Sequence, residues 1–255
     1  MYDLDLKEIT LWAVDLATRA GEITLEYFRS GVAVESKFDE SPVTVADKQT
    51  ELFLRKEILA KFPDHSLVGE EFGNTEAAHP SPWSWTIDPI DGTKSFISNI
   101  PLYTVLLCLR FQEKPIIGVV HNPGLGETVW AWEGGGCWFN GNLTRLRPAQ
   151  DLSKAWLQVT DPGHLLRLYP QTDRLLKDTG PVRTWADAYG YVLLVTGRAD
   201  VMVDPRMNLW DVAPLVPIVQ EAGGVITDLQ GKPGAGDSCL AAGSHLHAQV
   251  LKYFK

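Results

Sequence analysis

Acidic residues placed at the ends of apolar runs carry the chemistry available to this sequence. The segment Trp85-Thr86-Ile87-Asp88-Pro89-Ile90-Asp91-Gly92-Thr93-Lys94-Ser95-Phe96 reads as a buried strand entering a tight turn. Asp88 ends the strand, Pro89 stiffens the turn, Asp91 returns a second carboxylate, and Gly92 permits close backbone approach. Thr93 to Phe96 can then open a helix. Two carboxylates and the Ile90 carbonyl therefore share one turn with the N–H groups of Gly92, Thr93 and Lys94. Carboxylates with a backbone carbonyl form a hard oxygen set suited to Mg²⁺, Mn²⁺ or Ca²⁺ rather than zinc or copper. A helix start attracts phosphate, but a phosphate ester cannot settle beside bare aspartates. Cations must bridge the two, and the turn reads as a metal-assisted phosphoryl site.

Taken alone, Asp-x-x-Asp is equally the mark of a capped turn and helix. Other acids stand in comparable places. Gly69-Glu70-Glu71 follows the apolar run Ser66-Leu67-Val68, and Trp210-Asp211 heads a strongly apolar helix. In isolation, Asp211 is a helix N-terminal residue and Glu71 a solvated one; together the bland readings need several coincidences. Thr44-Val45-Ala46-Asp47 has the spacing of a capping box, with Asp in place of Glu or Gln.

The elements that must position these groups follow from periodicity. Leu6, Ile9, Ala13, Leu16, Ala20, Ile23 and Tyr27 form one apolar face of a long helix ending near Gly31, and Thr44 opens a second helix to about Phe62. From His65 to Arg145 short apolar or alternating runs predict strands: His65–Gly69, Trp83–Ile87, Tyr103–Phe111, Ile116–His121 and Thr128–Trp132. Beyond Pro148 strands and helices alternate, with helices at Tyr189–Thr196, Asp211–Ala222 and His245–Phe254. The layering predicted is α-β-α-β-α, divided near residue 150 into an N-terminal α+β half (1–150) and a C-terminal α/β half (151–255) of one catalytic unit.

The chain has 255 residues and a formal charge of −9. An acidic surface disfavours nucleic acid and anionic membranes, and no apolar run approaches the length of a membrane span. Cys108, Cys137 and Cys239 are far apart, suggesting neither a disulfide framework nor a metal site. The start MYDLDLKEIT lacks the apolar run of a signal peptide, which predicts a cytoplasmic protein. His245 and His247 read as surface histidines, because an i, i+2 pair shares no helix face.

Glu70-Glu71, Asp88-Pro-Ile-Asp91-Gly-Thr93, and Trp210-Asp211-Val-Ala-Pro followed by Glu221-Ala-Gly-Gly224 resemble, in order and spacing, the inositol monophosphatase family. The resemblance implies a five-layer sandwich, Mg²⁺ dependence with two or three ions (Mn²⁺ as a substitute), a small phosphorylated metabolite as substrate, and a homodimer. It makes Glu70, Asp88, the Ile90 carbonyl, Asp91 and Asp211 metal ligands, with Glu70 and Asp88 sharing the ion that activates water. It also makes Thr93, backed by Asp47, the residue orienting that water. Lys37 matches a lysine near the mouth of the site, where its other reading is an ordinary surface lysine.

Within the family, Asp91-Gly-Thr-Lys94-Ser95-Phe96, Thr184-Trp185-Ala186-Asp187-Ala188-Tyr189 and Gly197-Arg-Ala-Asp-Val-Met-Val-Asp204-Pro are similar to histidinol-phosphate phosphatases. Asp187 and Asp204 would then face the leaving alcohol along with Asp91. Two carboxylates suit an alcohol carrying an amine and an imidazole, whereas a neutral polyol gains nothing from the second charge. Asp187 also reads as a helix N-cap and Asp204 as a turn residue. The expected reaction is hydrolysis of L-histidinol phosphate. The alternatives are an inositol-1-phosphate or broader sugar-phosphate phosphatase, an enzyme for 3′-phosphorylated nucleotides, a non-catalytic metal and phosphate-ligand binding module, and a structural Ca²⁺ site.

Overall fold

The computed structural model describes residues 2–31, 34–36, 42–185, 187–234 and 236–255; Lys37 lies outside them. Helix α1 (Leu6–Tyr27) starts at Asp5, whose carboxylate accepts from the Lys7 and Glu8 N–H groups. A ribbon of β1 (Val34–Ser36) and β2 (Pro42–Thr44) leads into α2 (Val45–Lys61). The large sheet follows: β3 (Ser66–Gly69), β4 (Gly73–Thr75), β5 (Trp83–Asp91), then the short helix α3 (Thr93–Ile97), β6 (Thr104–Phe111), β7 (Lys114–Asn122), β8 (Glu127–Trp132), β9 (Cys137–Phe139) and β10 (Asn142–Thr144). The remainder comprises β11 (Leu157–Val159), α4 (Pro162–Leu168), α5 (Asp173–Asp178), β12 (Val182–Arg183), α6 (Ala188–Val195), β13 (Val201–Asp204), α7 (Leu209–Val212), α8 (Leu215–Glu221), β14 (Val225–Thr227), β15 (Cys239–Ala242) and α9 (Ser244–Val250).

The large sheet has the order β10-β9-β8-β7-β6-β5-β3-β4, and the smaller one β12-β11-β13-β15-β14. Strand alternation sorts their side chains between cores. Val105, Leu107 and Leu109 face α1 and α2, packing with Leu16, Leu54 and Ile58. Leu106, Val120 and Val129 face the other way, against α6 and α8, which also cover Met202, Cys239 and Ala241 of the smaller sheet. Leu157, Val201, Val203 and Leu240 point outward onto α4, α5 and α9 through Leu165, Leu175 and Leu246. Five layers result, in the order α-β-α-β-α. Glu221, at the end of α8, accepts from the Gly134 and Gly136 N–H groups at 2.8 Å each, tying the middle layer to the large sheet. Among the described residues no helix is long and apolar enough to cross a membrane.

Two elements differ from the sequence reading in ways that affect the site. The strand expected to stop at Ile87 runs on through Asp91, because Asp88-Pro89-Ile90-Asp91 is a bulge within the sheet: Asp88 pairs with Leu106 and Asp91 with Thr104. The helix expected over Asp211–Ala222 starts earlier, at Leu209, and is broken after Val212. Pro214 has no N–H to continue the ladder. His247, expected at the surface, is buried, and its Nε2 lies 3.0 Å from Thr227 Oγ1.

Candidate metal and phosphate site

Parallel pairing brings the first acids together. Gly69 of β3 is in register with Ile87 of β5, so the residues that follow, Glu70 and Asp88, leave the sheet side by side. The Glu70 N–H donates to Ile87 O at 3.3 Å, and the Glu70 carboxylate is near enough to Asp88 to raise its pKa. The bulge then turns Asp91 to the same end of the sheet, and α7, packed on β5 and β6, supplies Asp211. Carboxylate oxygens of Asp88, Asp91 and Asp211 lie within 4.8 Å of one another.

Each acid is fixed by its own hydrogen bonds. Asp88 Oδ1 accepts from the Ile90 N–H at 3.0 Å. Asp91 Oδ2 accepts from the Ala188 N–H at 2.7 Å and from Thr104 Oγ1 at 3.2 Å. Asp211 Oδ2 accepts from the Asn208 N–H at 2.7 Å as the third residue of α7, so its capping role and its place in the cluster coexist. The Ile90 side chain packs into a small core with Ala46, Phe96 and Tyr103, leaving its backbone on the cleft side.

Such a cluster is electrostatically untenable as a set of bare anions. Burial, reinforced by Glu70, Asp91 and Asp211, holds the Asp88 carboxyl well above the usual carboxylate range. Burial and then Asp187 and Asp211 do the same to Asp91. Burial with the neighbouring Glu70 and Asp204 charges pushes Asp211 up to about 7. An all-oxygen donor set that cannot stay ionised without positive charge fits a divalent hard cation.

The cluster floors a cleft of about 570 Å³ whose walls include Gly92, Thr93, Lys94, Ser95, Thr184 and Asp187. Gly92 adopts φ 83°, ψ 40°, a left-handed conformation open to glycine, and caps α3. The first N–H groups of this one-turn helix lack intrahelical acceptors and border the cleft. Asp47 makes the capping box: its Oδ2 accepts from the Thr44 N–H at 2.7 Å and Thr44 Oγ1 at 2.6 Å. Its Oδ1 is buried without a partner among the described residues, and burial raises its pKa, with Glu70 adding to the effect. Thr93 Oγ1 donates to Ile90 O at 3.1 Å, so a Thr93–Asp47 hydrogen bond is not formed in this conformation.

The two acids expected at the leaving-group end part company. Asp187 lines the cleft. It precedes α6 without a capping hydrogen bond, at φ 54°, ψ −154°, so the N-cap reading is not what the structure contains. Burial pushes its carboxyl up to about 6, moderated by the Lys94 cation. Asp204, expected to face the leaving alcohol, is 4% exposed and is not among the residues that line the cleft. It is the last residue of the central strand β13. Thr160 Oγ1 donates to Oδ1 and the Tyr191 hydroxyl to Oδ2 at 2.8 Å. Asp204 therefore holds Thr160, which does line the cleft.

Thr160, Asp161 and Asn208 also border the cleft, and the sequence reading missed them. Asp161-Pro162 carries a signal for a helix start, and Asp161 Oδ1 does accept from the His164 N–H at 2.8 Å. Nothing local indicates that this helix end faces the acids.

A sequence model of the inositol monophosphatase family matches residues 5–255. A histidinol-phosphatase of Chlorobaculum parvum is 43% identical over 247 residues, covering 94% of this chain and 93% of that protein. A histidinol-phosphatase of Streptomyces coelicolor is 34% identical over 252 residues, covering 93% of both. Among solved structures, an inositol monophosphatase from Zymomonas mobilis superposes with a TM-score of 0.86 at 28% identity, covering 98% of this chain and 99% of that one. With the acidic cluster, the cleft and the five layers in place, the chain belongs to the inositol monophosphatase family and is a phosphoric monoester hydrolase.

Proposed function

We propose that this protein hydrolyses L-histidinol phosphate to L-histidinol and phosphate with magnesium as its cofactor. The observation that carries the substrate is Asp187, a carboxylate lining the cleft beside the acidic cluster and packed against Gly92. A leaving alcohol that bears an ammonium and an imidazole gains a charge-assisted hydrogen bond there; a polyol has no charge to pair. The names of the relatives at 43% and 34% identity support the same substrate.

In this reading Glu70, Asp88, the Ile90 carbonyl, Asp91 and Asp211 hold two or three Mg²⁺ ions. When bound, these ions supply the positive charge that accepts the phosphate and acidifies water. The N–H groups of Gly92, Thr93 and Lys94 receive the phosphoryl oxygens, and their fixed dipoles take up charge in the transition state. Thr93 orients the water; in doing so its hydroxyl leaves Ile90 O and turns toward Asp47 Oδ1, which has no partner among the described residues. Asp187 holds the amino alcohol, and Asp204 acts on it through Thr160. The reading includes a homodimer, which light scattering tests directly.

The deciding experiment compares kcat/KM for histidinol phosphate and inositol-1-phosphate in Mg²⁺. A preference for inositol-1-phosphate would overturn the substrate while leaving the phosphatase in place.

A further inference from the structure

We infer that the buried Glu51–Arg55 pair of α2 is a positioning device for the metal site, a clamp that holds the β3–β4 loop so that Glu70 meets Asp88. The inference rests on the reading of Glu70 as a metal ligand. Glu70 sits in an awkward place for a ligand. Its loop, Glu70-Glu71-Phe72, joins the edge strand β4 to β3, and an edge hairpin of this kind opens readily unless something ties it down.

The tie comes from beneath. Glu51 is fully buried and Arg55 is 8% exposed. Glu51 Oε2 accepts from the Glu71 N–H at 2.7 Å, and Oε1 accepts from the Phe72 N–H at 3.1 Å. One carboxylate thus takes the two consecutive N–H groups that follow Glu70. Arg55 Nε donates to Glu51 Oε1 at 2.7 Å. Its other nitrogens reach across the hairpin, Nη1 to Thr75 Oγ1 at 2.8 Å and Nη2 to the Gly73 carbonyl. The guanidinium fork is therefore spent on the first and last residues of β4 and on the carboxylate that holds the hairpin's tip. Gly69 has no side chain because the pair packs directly against its Cα: a Cβ there would overlap Glu51 and Arg55.

The energetics favour a positioning role over a stabilising one. Desolvating two charges offsets most of what their attraction returns, so a buried pair adds little net stability. Here it also places an anion close to a site already crowded with acids, where Arg55 keeps Glu51 from adding to the repulsion. What the pair contributes is geometry: a rigid helix fixes a loop whose neighbouring carboxylate must hold an ion. Groups that orient ligands in this way typically change metal affinity by roughly 10- to 100-fold when lost.

The test uses the full chain stripped of metal, with Mg²⁺ alone as the calorimetric probe and phosphate release as a second readout. The double variant Glu51→Gln/Arg55→Met removes both charges and leaves no orphaned ion. Its Mg²⁺ dissociation constant should rise about tenfold, with the substrate KM at saturating Mg²⁺ within about twofold. Arg55→Lys, which keeps the charge but not the fork, should fall between it and the parent, and Thr75→Val should shift Mg²⁺ affinity in the same direction with the fold intact. A folded double variant that binds Mg²⁺ like the parent overturns the clamp; if the double variant does not fold, parental Mg²⁺ affinity in both Arg55→Lys and Thr75→Val overturns it. Glu70→Gln separates the two levels: weakened Mg²⁺ binding there with none in the clamp variants sinks the clamp alone, whereas parental binding in Glu70→Gln sinks the ligand reading and the clamp with it.

Discussion

Asp91 Oδ2 accepts a 2.7 Å hydrogen bond from the backbone N–H of Ala188, 97 positions later in the chain. One carboxylate thereby joins the bulge of the large sheet to the first residue of α6. The acid that contributes to the carboxylate cluster also fixes where the segment carrying Asp187 begins.

Asp91→Asn keeps an oxygen for Ala188 and removes the charge. Turnover should fall by roughly 10²–10³-fold or more, the scale on which a single electrostatic stabiliser acts. The metal-free melting temperature should hold or rise, since a buried anion among like charges is gone. A fully active Asn enzyme refutes the metal assignment.

Asp187→Asn should discriminate between substrates. Losing a hydrogen bond to a charged partner costs about 1.5–3 kcal/mol, or roughly 10- to 100-fold in kcat/KM for histidinol phosphate. The same change should leave inositol-1-phosphate turnover within a few-fold. Equal losses on both esters would assign Asp187 to the common phosphate chemistry instead. Since φ at this residue is 54°, Asp187→Gly should lose the same discrimination while relieving backbone strain, raising the melting temperature relative to Asp187→Asn.

Gly92 has φ 83°, and a Cβ there would stand 2.9 Å from Asp187 Oδ2 and 3.1 Å from Leu102 O. Gly92→Ala should cost about 1–2 kcal/mol from the backbone alone. That corresponds to a fall in melting temperature of roughly 2–8 °C for a chain of this size. It should also displace Asp187 and lower kcat/KM for histidinol phosphate more than for inositol-1-phosphate. Unchanged stability and kinetics would show that the turn has room to spare.

Stability without metal should depend on pH in a direction opposite to that of most acidic proteins. Burial raises Asp204 and Asp211 from 3.8 to about 7 each. Between about pH 4 and pH 7 these two groups, with the likewise raised Asp88, Asp91 and Asp187, hold protons in the folded protein that the unfolded chain has lost. They outnumber the buried His65, His121 and His247, whose lowered pKa values act the other way, and stability falls as pH rises through that window. In EDTA the melting temperature should be higher at pH 5 than at pH 8. Mg²⁺ should restore the part due to Asp211 at pH 8, because the cation favours the ionised cluster. Asp204→Asn should flatten the remaining slope. A metal-free protein that melts higher at pH 8 would contradict this electrostatic account.

Short-range order made much of the fold readable. The α1 face and the β6 to β8 meander depend on neighbours within a few residues, and both lie where periodicity put them, whereas the expected Asp88–Asp91 turn is a bulge that its pairing with β6 keeps within the sheet. Pro214 carried a local signal too, and the helix does break there.

Residue types and spacing by themselves determined that this chain carries hard oxygen donors at strand and helix ends, and therefore which ion chemistry they suit. The tertiary structure decided which acids meet. The parallel register of β3 on β5 sets Glu70 beside Asp88. Thr160, just after β11, and Tyr191 of the middle-layer helix α6 enclose Asp204, while Asp187 and Asp161 line the cleft. A carboxylate's role turns on its solvation and its distance to other charges, and both are set by segments remote in sequence, where no local pattern reaches.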